Sequence, residues 1–493
     1  MAKKCIIAID EGTTGTRSVA FDSAGRVIFR AYRTLSIAYP RPGWVEQDPA
    51  VLWQSTYETL REVAKLCLAA DYSIEALAIS NQRETTVAWD RITNEPLMPA
   101  IVWQCRRTTD TCQKLRSDGL EPLILKLTGL PIDPYFSATK MAWILEQLGS
   151  KEKFCLGTVD SWLLWNLTQG QSYATDVTNA SRTQLMNIYT LAWDEKLCEI
   201  FGVPSSLLPE IKKSGDHFGT TRGLVDIPDG IPILAMIGDS QAALFGEGAL
   251  KEGMGKVTYG TGSSVLMNIG SSAIDIKEGL GLTIAWQFHD KITYAVEGII
   301  HATGTGIEWL RDSLDLFSDS SETEAMAKSV RDTGGVYFVP AFSGLGTPWW
   351  DPNARGLLIG LTGGTRPEHI VRAALDAIAL QVYDVFTSFR EAYQIDTEMI
   401  FCGGGASRNG YLMQLQADLL QCPLATSSNH EVSAQGAAYL AGLMAGMWNT
   451  RDIEAMHKAS LEKYYYPEQD LPNMQHFVGS WHEAVQRSLG WVK

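Results

Sequence analysis

The feature that most constrains the fold occurs twice. Near the N-terminus the apolar run Ile6-Ile7-Ala8-Ile9 ends in Asp10, turns through Glu11-Gly12-Thr13-Thr14-Gly15 and returns as Thr16-Arg17-Ser18-Val19-Ala20-Phe21-Asp22. About half a chain later, Gly255 to Tyr259 leads through Gly260-Thr261-Gly262 into Ser263-Ser264-Val265-Leu266-Met267. Two copies of strand, Gly-Thr turn and strand suggest two similar halves facing each other across a cleft. Each turn offers backbone N–H groups and hydroxyls to an anion, because glycine lets the backbone come close. A carboxylate at the strand end, Asp10, can hold Mg²⁺ directly or through water. The Lys-bearing phosphate loop that leads from a strand into a helix is a different device, since each of these turns joins two strands. Either turn alone also reads as an ordinary Gly-rich hairpin.

The chain has 493 residues, more than one hydrophobic core usually serves, so two or more domains are expected. The break falls near Glu247 to Glu252, giving domains 1–248 and 249–493. With 45% hydrophobic and 20% charged residues the composition is that of a soluble globular protein. A formal net charge of −15 argues against nonspecific binding to nucleic acid or anionic membrane. An anionic nucleotide then has to be held by local donors and a metal. Eight scattered Cys form no C-x-x-C pair, which fits reduced thiols in a cytoplasm rather than zinc or a disulfide framework. The first apolar run is too short for a signal peptide, and Gly436 to Trp448 is too short to span a membrane.

Strands and helices alternate, which predicts a mixed α/β fold. Asp48 reads as a helix N-cap and Pro49 as the first helical position, with apolar helical spacing from Val51 to Leu68. Ile74 to Ser80 reads as a buried strand leading into Asn81-Gln82-Arg83-Glu84-Thr85-Thr86, and Val87 to Asp90 as the next strand. Arg83 and Glu84, adjacent opposite charges at a strand end, are a candidate site or a solvated loop pair. Trp103 and Tyr135, aromatics beside polar turns, are core residues or one wall of a small-molecule pocket. Ile231 to Ile237 is a second strand ending near a carboxylate, Asp239. Gly304 reads as a helix start, Pro367 to about Tyr393 as a long helix, and Ile400 to Asn409 as a third strand-to-glycine turn, with Asn409 opening a helix.

These landmarks, in this order, resemble the FGGY carbohydrate kinases. The likeness runs from about residue 5 to residue 490 and includes Gly43 to Pro49, Asn81 to Thr86, Ile101 to Arg107, Asp133 to Lys140, Thr175 to Thr183, Gly238-Asp239, Tyr259 to Gly262 and Gly356 to Asp376. It implies the actin-like fold, two ribonuclease-H-like domains around a nucleotide cleft. It also implies an ATP- and Mg²⁺-dependent kinase that phosphorylates a primary hydroxyl of glycerol to give glycerol 3-phosphate. By that resemblance Asp239 is the catalytic base, and Arg83, Glu84, Tyr135 and Trp103 hold the polyol. Thr13, Thr14 and Arg17 belong to the first phosphate loop and Thr261 to the second, while Gly304, Glu308, Gly405 and Asn409 match nucleotide contacts. Asp10 and Asp239 order Mg²⁺.

Four positions depart from the family pattern. Glu11 stands where these kinases commonly carry Gln, and Glu308 replaces a Gln near the adenine. Ser240 replaces the Gln after the catalytic Asp, and Ser264 a Phe that packs on the carbon chain of glycerol. The last two lie in the acceptor pocket and shorten its wall, so a longer polyol or ketose such as erythritol, xylitol or xylulose is the second reading. A non-catalytic, ATP-gated actin-like protein is a third, opposed by the acceptor set at Arg83, Glu84 and Tyr135. The expected partners are small molecules, with no nucleic acid and no membrane. The sequence does not set an oligomeric state, which leaves room for a homo-oligomer.

Overall fold

A computed structural model describes residues 3–149, 154–272, 279–427, 429, 431–468 and 474–492. Its main sheet has thirteen strands. In chain order they are β1 (Lys3–Glu11), β2 (Gly15–Asp22), β3 (Val27–Thr34), β4 (Tyr72–Asn81), β5 (Gly215–Thr220), β6 (Pro232–Gly238), β7 (Met254–Tyr259), β8 (Ser263–Asn268), β9 (Gly281–Phe288), β10 (Lys291–Ile300), β11 (Met399–Gly404), β12 (Leu424–Ser427) and β13 (Leu461–Tyr465). The helices used below are α1 (Pro49–Ala69), α2 (Ser137–Leu148), α3 (Val177–Ser181), α4 (Asp239–Gly246), α5 (Gly304–Asp312), α6 (Pro367–Tyr393), α7 (Gly410–Leu420) and α8 (Val432–Met444).

The spatial order β13-β12-β11-β7-β8-β10-β9-β5-β6-β4-β1-β2-β3 contains one motif twice. Strand β1 pairs antiparallel with β2 and parallel with β4, and β4 pairs parallel with β6. Strand β7 pairs antiparallel with β8 and parallel with β11, and β11 pairs parallel with β12. The two sub-sheets join where β5 meets β9 at Gly215 and Phe288. The duplicated hairpins are thus the first two strands of two like-connected sub-sheets. Residues Cys5 to Ile9 are fully buried, as expected for a strand covered on both faces.

Helix α1 starts as the sequence predicts. Asp48 accepts from the Ala50 N–H, and Pro49 occupies the first turn, where its missing N–H costs nothing. Its buried residues Leu52, Thr56, Leu60, Val63 and Ala64 recur at helical spacing. Helix α6 spans the expected Pro367 to Tyr393. Helices α4 and α8 follow the equivalent strands β6 and β12 and cross so closely that a Cβ on Gly246 or Gly436 would strike the other helix's backbone. A second sheet, formed by Glu46–Gln47, Thr86–Asp90, Ala100–Ile101 and Phe154–Thr158, flanks the first half and carries the approach to Arg83 and Trp103. All eight cysteines are free and buried. Among the described residues no helix is long and apolar enough to cross a membrane.

Candidate active site

Parallel strands β1, β4 and β6 all end on one side of the sheet, and their ends place Asp10, Arg83 and Asp239. Asp10 accepts from the Ser80 hydroxyl at 3.0 Å and lies 3.5 Å from the Arg17 guanidinium. Burial pushes its carboxyl up to about 6, against the pull of Arg17, and the like charge of Asp239 adds to the rise. A divalent cation beside Asp10 would relieve that rise.

The first turn is tied to the aromatic wall. The Trp103 indole N–H donates to Thr13 Oγ1 at 2.9 Å, and Gln47 Nε2 donates to the Thr13 carbonyl at 2.7 Å. Gln82 joins the same network through Thr13, Thr85 and Gln47. Thr14 is exposed at the tip, and its carbonyl accepts from the Leu35 N–H. Arg17 reaches across to the second half and donates to Glu431, the residue that precedes α8, at 2.9 Å.

Arg83 and Glu84 are not a solvated pair, being 5% and 1% exposed. They belong to a closed ring of four buried charges. Arg83 contacts Glu297 at 2.8 Å, Glu297 contacts Arg182 at 2.7 Å, and Arg182 contacts Glu84 at 2.6 Å. Arg83 Nε lies 4.0 Å from Glu84 and closes the ring. The two carboxylates respond differently. Burial raises Glu84 against the pull of Arg83 and Arg182, and the like charge of Glu297 adds to the rise. Burial also acts on Glu297, but two close guanidinium contacts outweigh it and hold the group below its usual range. Tyr135 stacks edge-on against Trp103 at 5.5 Å, and Arg182 lies over both Tyr135 and Phe136. Glu84 adopts φ of 61°, a left-handed conformation that side chains resist, held by Ser137 Oγ donating to its carbonyl.

Asp239 opens α4 and keeps 38% of its side chain accessible, so it can meet a ligand that Arg83 supports from behind. Arg83 Nε lies 3.4 Å from Asp239 Oδ1. The stretch 175–183 fixes the strand end beneath it. Thr178 Oγ1 accepts from the Gly238 N–H and donates to Asp176, while Asn179 and Asn81 exchange amide hydrogen bonds. Ser240 is bonded through its N–H to Asp239 Oδ1. Ser264 lies on β8 opposite Ile299 of β10, two residues from Glu297, and its buried hydroxyl has no hydrogen-bond partner among the described residues.

The second turn packs against two other strand and helix ends. The Gly304 N–H donates to the Gly260 carbonyl and the Thr303 N–H to the Thr261 carbonyl, both at 2.9 Å. The parallel register sets Tyr259 beside Gly404, and a Cβ on Gly404 would strike Tyr259, so only glycine fits. Gly405 faces open space. Asn409 caps α7, accepting from the Leu412 N–H, and its amide donates to Thr323. Thr261, Gly304, Gly405 and Asn409 thus gather around the ends of β7 and β11. Glu308 is exposed one turn further along α5.

Glu11 occupies a buried slot, accepting from Thr56 at 2.6 Å, and burial pushes its carboxyl up to about 8. A protonated Glu presents a donor on one side and an acceptor on the other, as the NH₂ and C=O of an amide do with one donor more, so it can serve where a Gln would. Sequence reasoning gave no role to Arg182 or Glu297. The available signals were an arginine inside the Thr175–Thr183 stretch and a carboxylate in the otherwise apolar strand around Val296.

Residues 5–246 match the N-terminal domain of the FGGY family of carbohydrate kinases and residues 255–445 its C-terminal domain. A glycerol kinase from Halothermothrix orenii is 44% identical over 100% of both chains. One from Salmonella typhimurium is 45% identical over 99% of this chain and 98% of its own. Among solved structures, a Plasmodium falciparum glycerol kinase with ADP superposes with a TM-score of 0.93 at 35% identity, covering 99% of this chain and 98% of that one. A xylulose kinase from Lactobacillus acidophilus shares the fold, with a TM-score of 0.87 at 22% identity over 97% of each chain.

Proposed function

From this chain's membership in the FGGY family of carbohydrate kinases, we propose that it transfers the γ-phosphoryl group of ATP to a primary hydroxyl of glycerol, giving glycerol 3-phosphate. The observation that carries the reading is the 3.4 Å approach of Arg83, a member of the buried charge ring, to the accessible carboxylate of Asp239. Full-length likeness to proteins named glycerol kinase supports the same acceptor.

In this reading Asp239 accepts the proton of the attacking hydroxyl while Arg83 and Glu84 orient its neighbour. A guanidinium and a carboxylate together offer fixed donors and acceptors to adjacent hydroxyls. Trp103 and Tyr135 cover the carbon chain, and Ser240 and Ser264 line the remaining wall. Thr13, Thr14 and Arg17 receive the phosphates from one side and Thr261 from the other. Gly304, Glu308, Gly405 and Asn409 take the nucleoside end. The boundary between the two domains lies near residue 248.

The carboxylates of Asp10 and Asp239 suit a hard ion with oxygen ligands, and the like charge of Asp239 adds to the rise at Asp10. Among the described residues no cluster of three or more His, Cys, Asp or Glu could hold a metal ion; Asp10 and Asp239 would be the residues that hold Mg²⁺, directly or through water. Bound there, Mg²⁺ supplies charge neutralisation at the phosphates. Arg17, paired with Asp10 and Glu431, adds a cation to that side. Free buried thiols support a cytoplasmic setting.

The test is a phosphotransfer assay with ATP, Mg²⁺ and glycerol, erythritol, xylitol and xylulose as acceptors. Glycerol is expected to give the highest kcat/KM. Efficient use of a longer acceptor with no turnover of glycerol would overturn the assignment.

A further inference from the structure

Lys140 breaks two local rules. It is fully buried, and it sits in the first turn of α2, where the helix dipole disfavours a cation. Its side chain runs back past the helix start. Nζ donates to the carbonyls of Pro134 at 3.0 Å, Tyr135 at 2.5 Å and Phe136 at 2.8 Å. Three acceptors match the three N–H donors of an ammonium, whereas a neutral amine could serve only two; burial works against the charge and lowers the group to about 7. Phe136, at the N-cap, has no side-chain cap bond, so the chain entering α2 is held from within by this lysine.

The loop so clamped carries Tyr135, whose ring meets Trp103 and lies under the Arg182 guanidinium. Its far end is bonded to the acceptor side as well, because Ser137 Oγ donates to the Glu84 carbonyl. The clamp therefore connects to both the aromatic wall and the strained backbone of Glu84. Among the described residues no hydrogen bond of Lys140 reaches a phosphate turn directly; the link to the first turn is indirect, through Tyr135 and Trp103, whose indole donates to Thr13.

We propose that Lys140 is a positioning residue for the acceptor: its ammonium sets the 134–136 backbone so that Tyr135 closes the pocket over the substrate's carbon chain. The inference rests on the assignment of Arg83, Glu84, Trp103 and Tyr135 to the acceptor, but not on which polyol is used. Lys140 touches neither substrate nor reacting atoms. Its loss acts through Tyr135, on a surface that contacts the acceptor in the ground state and the transition state alike.

The test uses the full chain with Lys140→Met, which keeps the stem and volume and removes all donors, and Lys140→Arg, which keeps a cation with N–H donors. Each is assayed with the acceptor that the parent uses best, so failure of the glycerol assignment is read from the parent alone. For Lys140→Met the acceptor KM should rise roughly tenfold to a hundredfold, because three buried carbonyls lose their donor. The KM for ATP and kcat should change less than about threefold, the pattern of lost uniform binding. Lys140→Arg should recover part of the acceptor KM. Where Lys140→Met does not fold, Lys140→Arg carries the test, with an acceptor KM above the parent's and an unchanged KM for ATP. Equal changes in both KM values, or an unchanged acceptor KM in a folded variant, would overturn the proposal.

Discussion

Arg83 and Asp239 meet at 3.4 Å, one nearly enclosed and the other open to solvent. Under the proposed function that difference divides their work: the enclosed cation fixes a direction, and the accessible carboxylate takes a proton. Replacing Asp239 by Asn keeps size and hydrogen bonding but removes the basic oxygen. The expected loss in kcat is on the order of 10² to 10⁴, with the ATP dissociation constant nearly unchanged. Steady-state rates and nucleotide titration on the same preparation check this, and near-parental turnover would remove Asp239 from the role of base.

Glu297→Ala leaves two buried arginines, Arg83 and Arg182, with only Glu84 buried beside them and the partly exposed Asp239 near Arg83. Removing one partner from a buried pair costs about 3–5 kcal/mol because the remaining charge is uncompensated. Denaturant unfolding should report a loss of that order, together with weaker acceptor binding. A variant as stable as the parent would mean that water reaches the ring.

Much of this site could be read in the sequence, and the unread part has one physical cause. The two Gly-Thr turns, the carboxylates at strand ends and the caps at Asp48 and Asn409 are local signals, and the structure places them as local chemistry dictates. Arg182 and Glu297 are legible only as a charged residue in a helix–turn stretch and a carboxylate in a strand. Periodicity says which face a side chain takes. It does not say that Glu297 will lie opposite an arginine 214 positions earlier. Lys140 was visible as part of a conspicuous run, but its three acceptors belong to backbone atoms, which no residue type announces.

Glu11 gives a pH dependence with a definite sign. Its carboxyl is raised by burial from an ordinary 4.5 to about 8, so the folded state holds a proton that the unfolded chain releases. This group's contribution to stability is fully present below 4.5 and is lost as pH rises towards about 8. Glu11→Gln should flatten that slope, with its largest gain on the alkaline side. Thermal melts of parent and variant across that range provide the measurement, and parallel curves would show that Glu11 is already ionised at neutral pH.

Ser240→Gln combined with Ser264→Phe should narrow the acceptor pocket. The buried hydroxyl of Ser264, without a hydrogen-bond partner among the described residues, is replaced by an apolar ring that can cover a carbon chain. Full burial of such a ring is worth roughly 1.5–3 kcal/mol, part of which a small acceptor would share. Glycerol should show a lower KM and the longer acceptors a loss, read as kcat/KM for glycerol, erythritol, xylitol and xylulose on both proteins. An unchanged ranking would place the two serines outside the acceptor's reach.

The ring of Arg83, Glu84, Arg182 and Glu297 also bears on the order in which the molecule comes into being. A ribosome releases the chain from its N-terminus, so both arginines emerge with a single glutamate, and the fourth member arrives only with strand β10. Until that strand docks, the incomplete ring of two arginines and one glutamate carries an excess positive charge that must stay hydrated rather than enclosed. The pocket is therefore sealed late in synthesis, by a residue of the second half, and a fragment ending before β10 would lack a finished acceptor site.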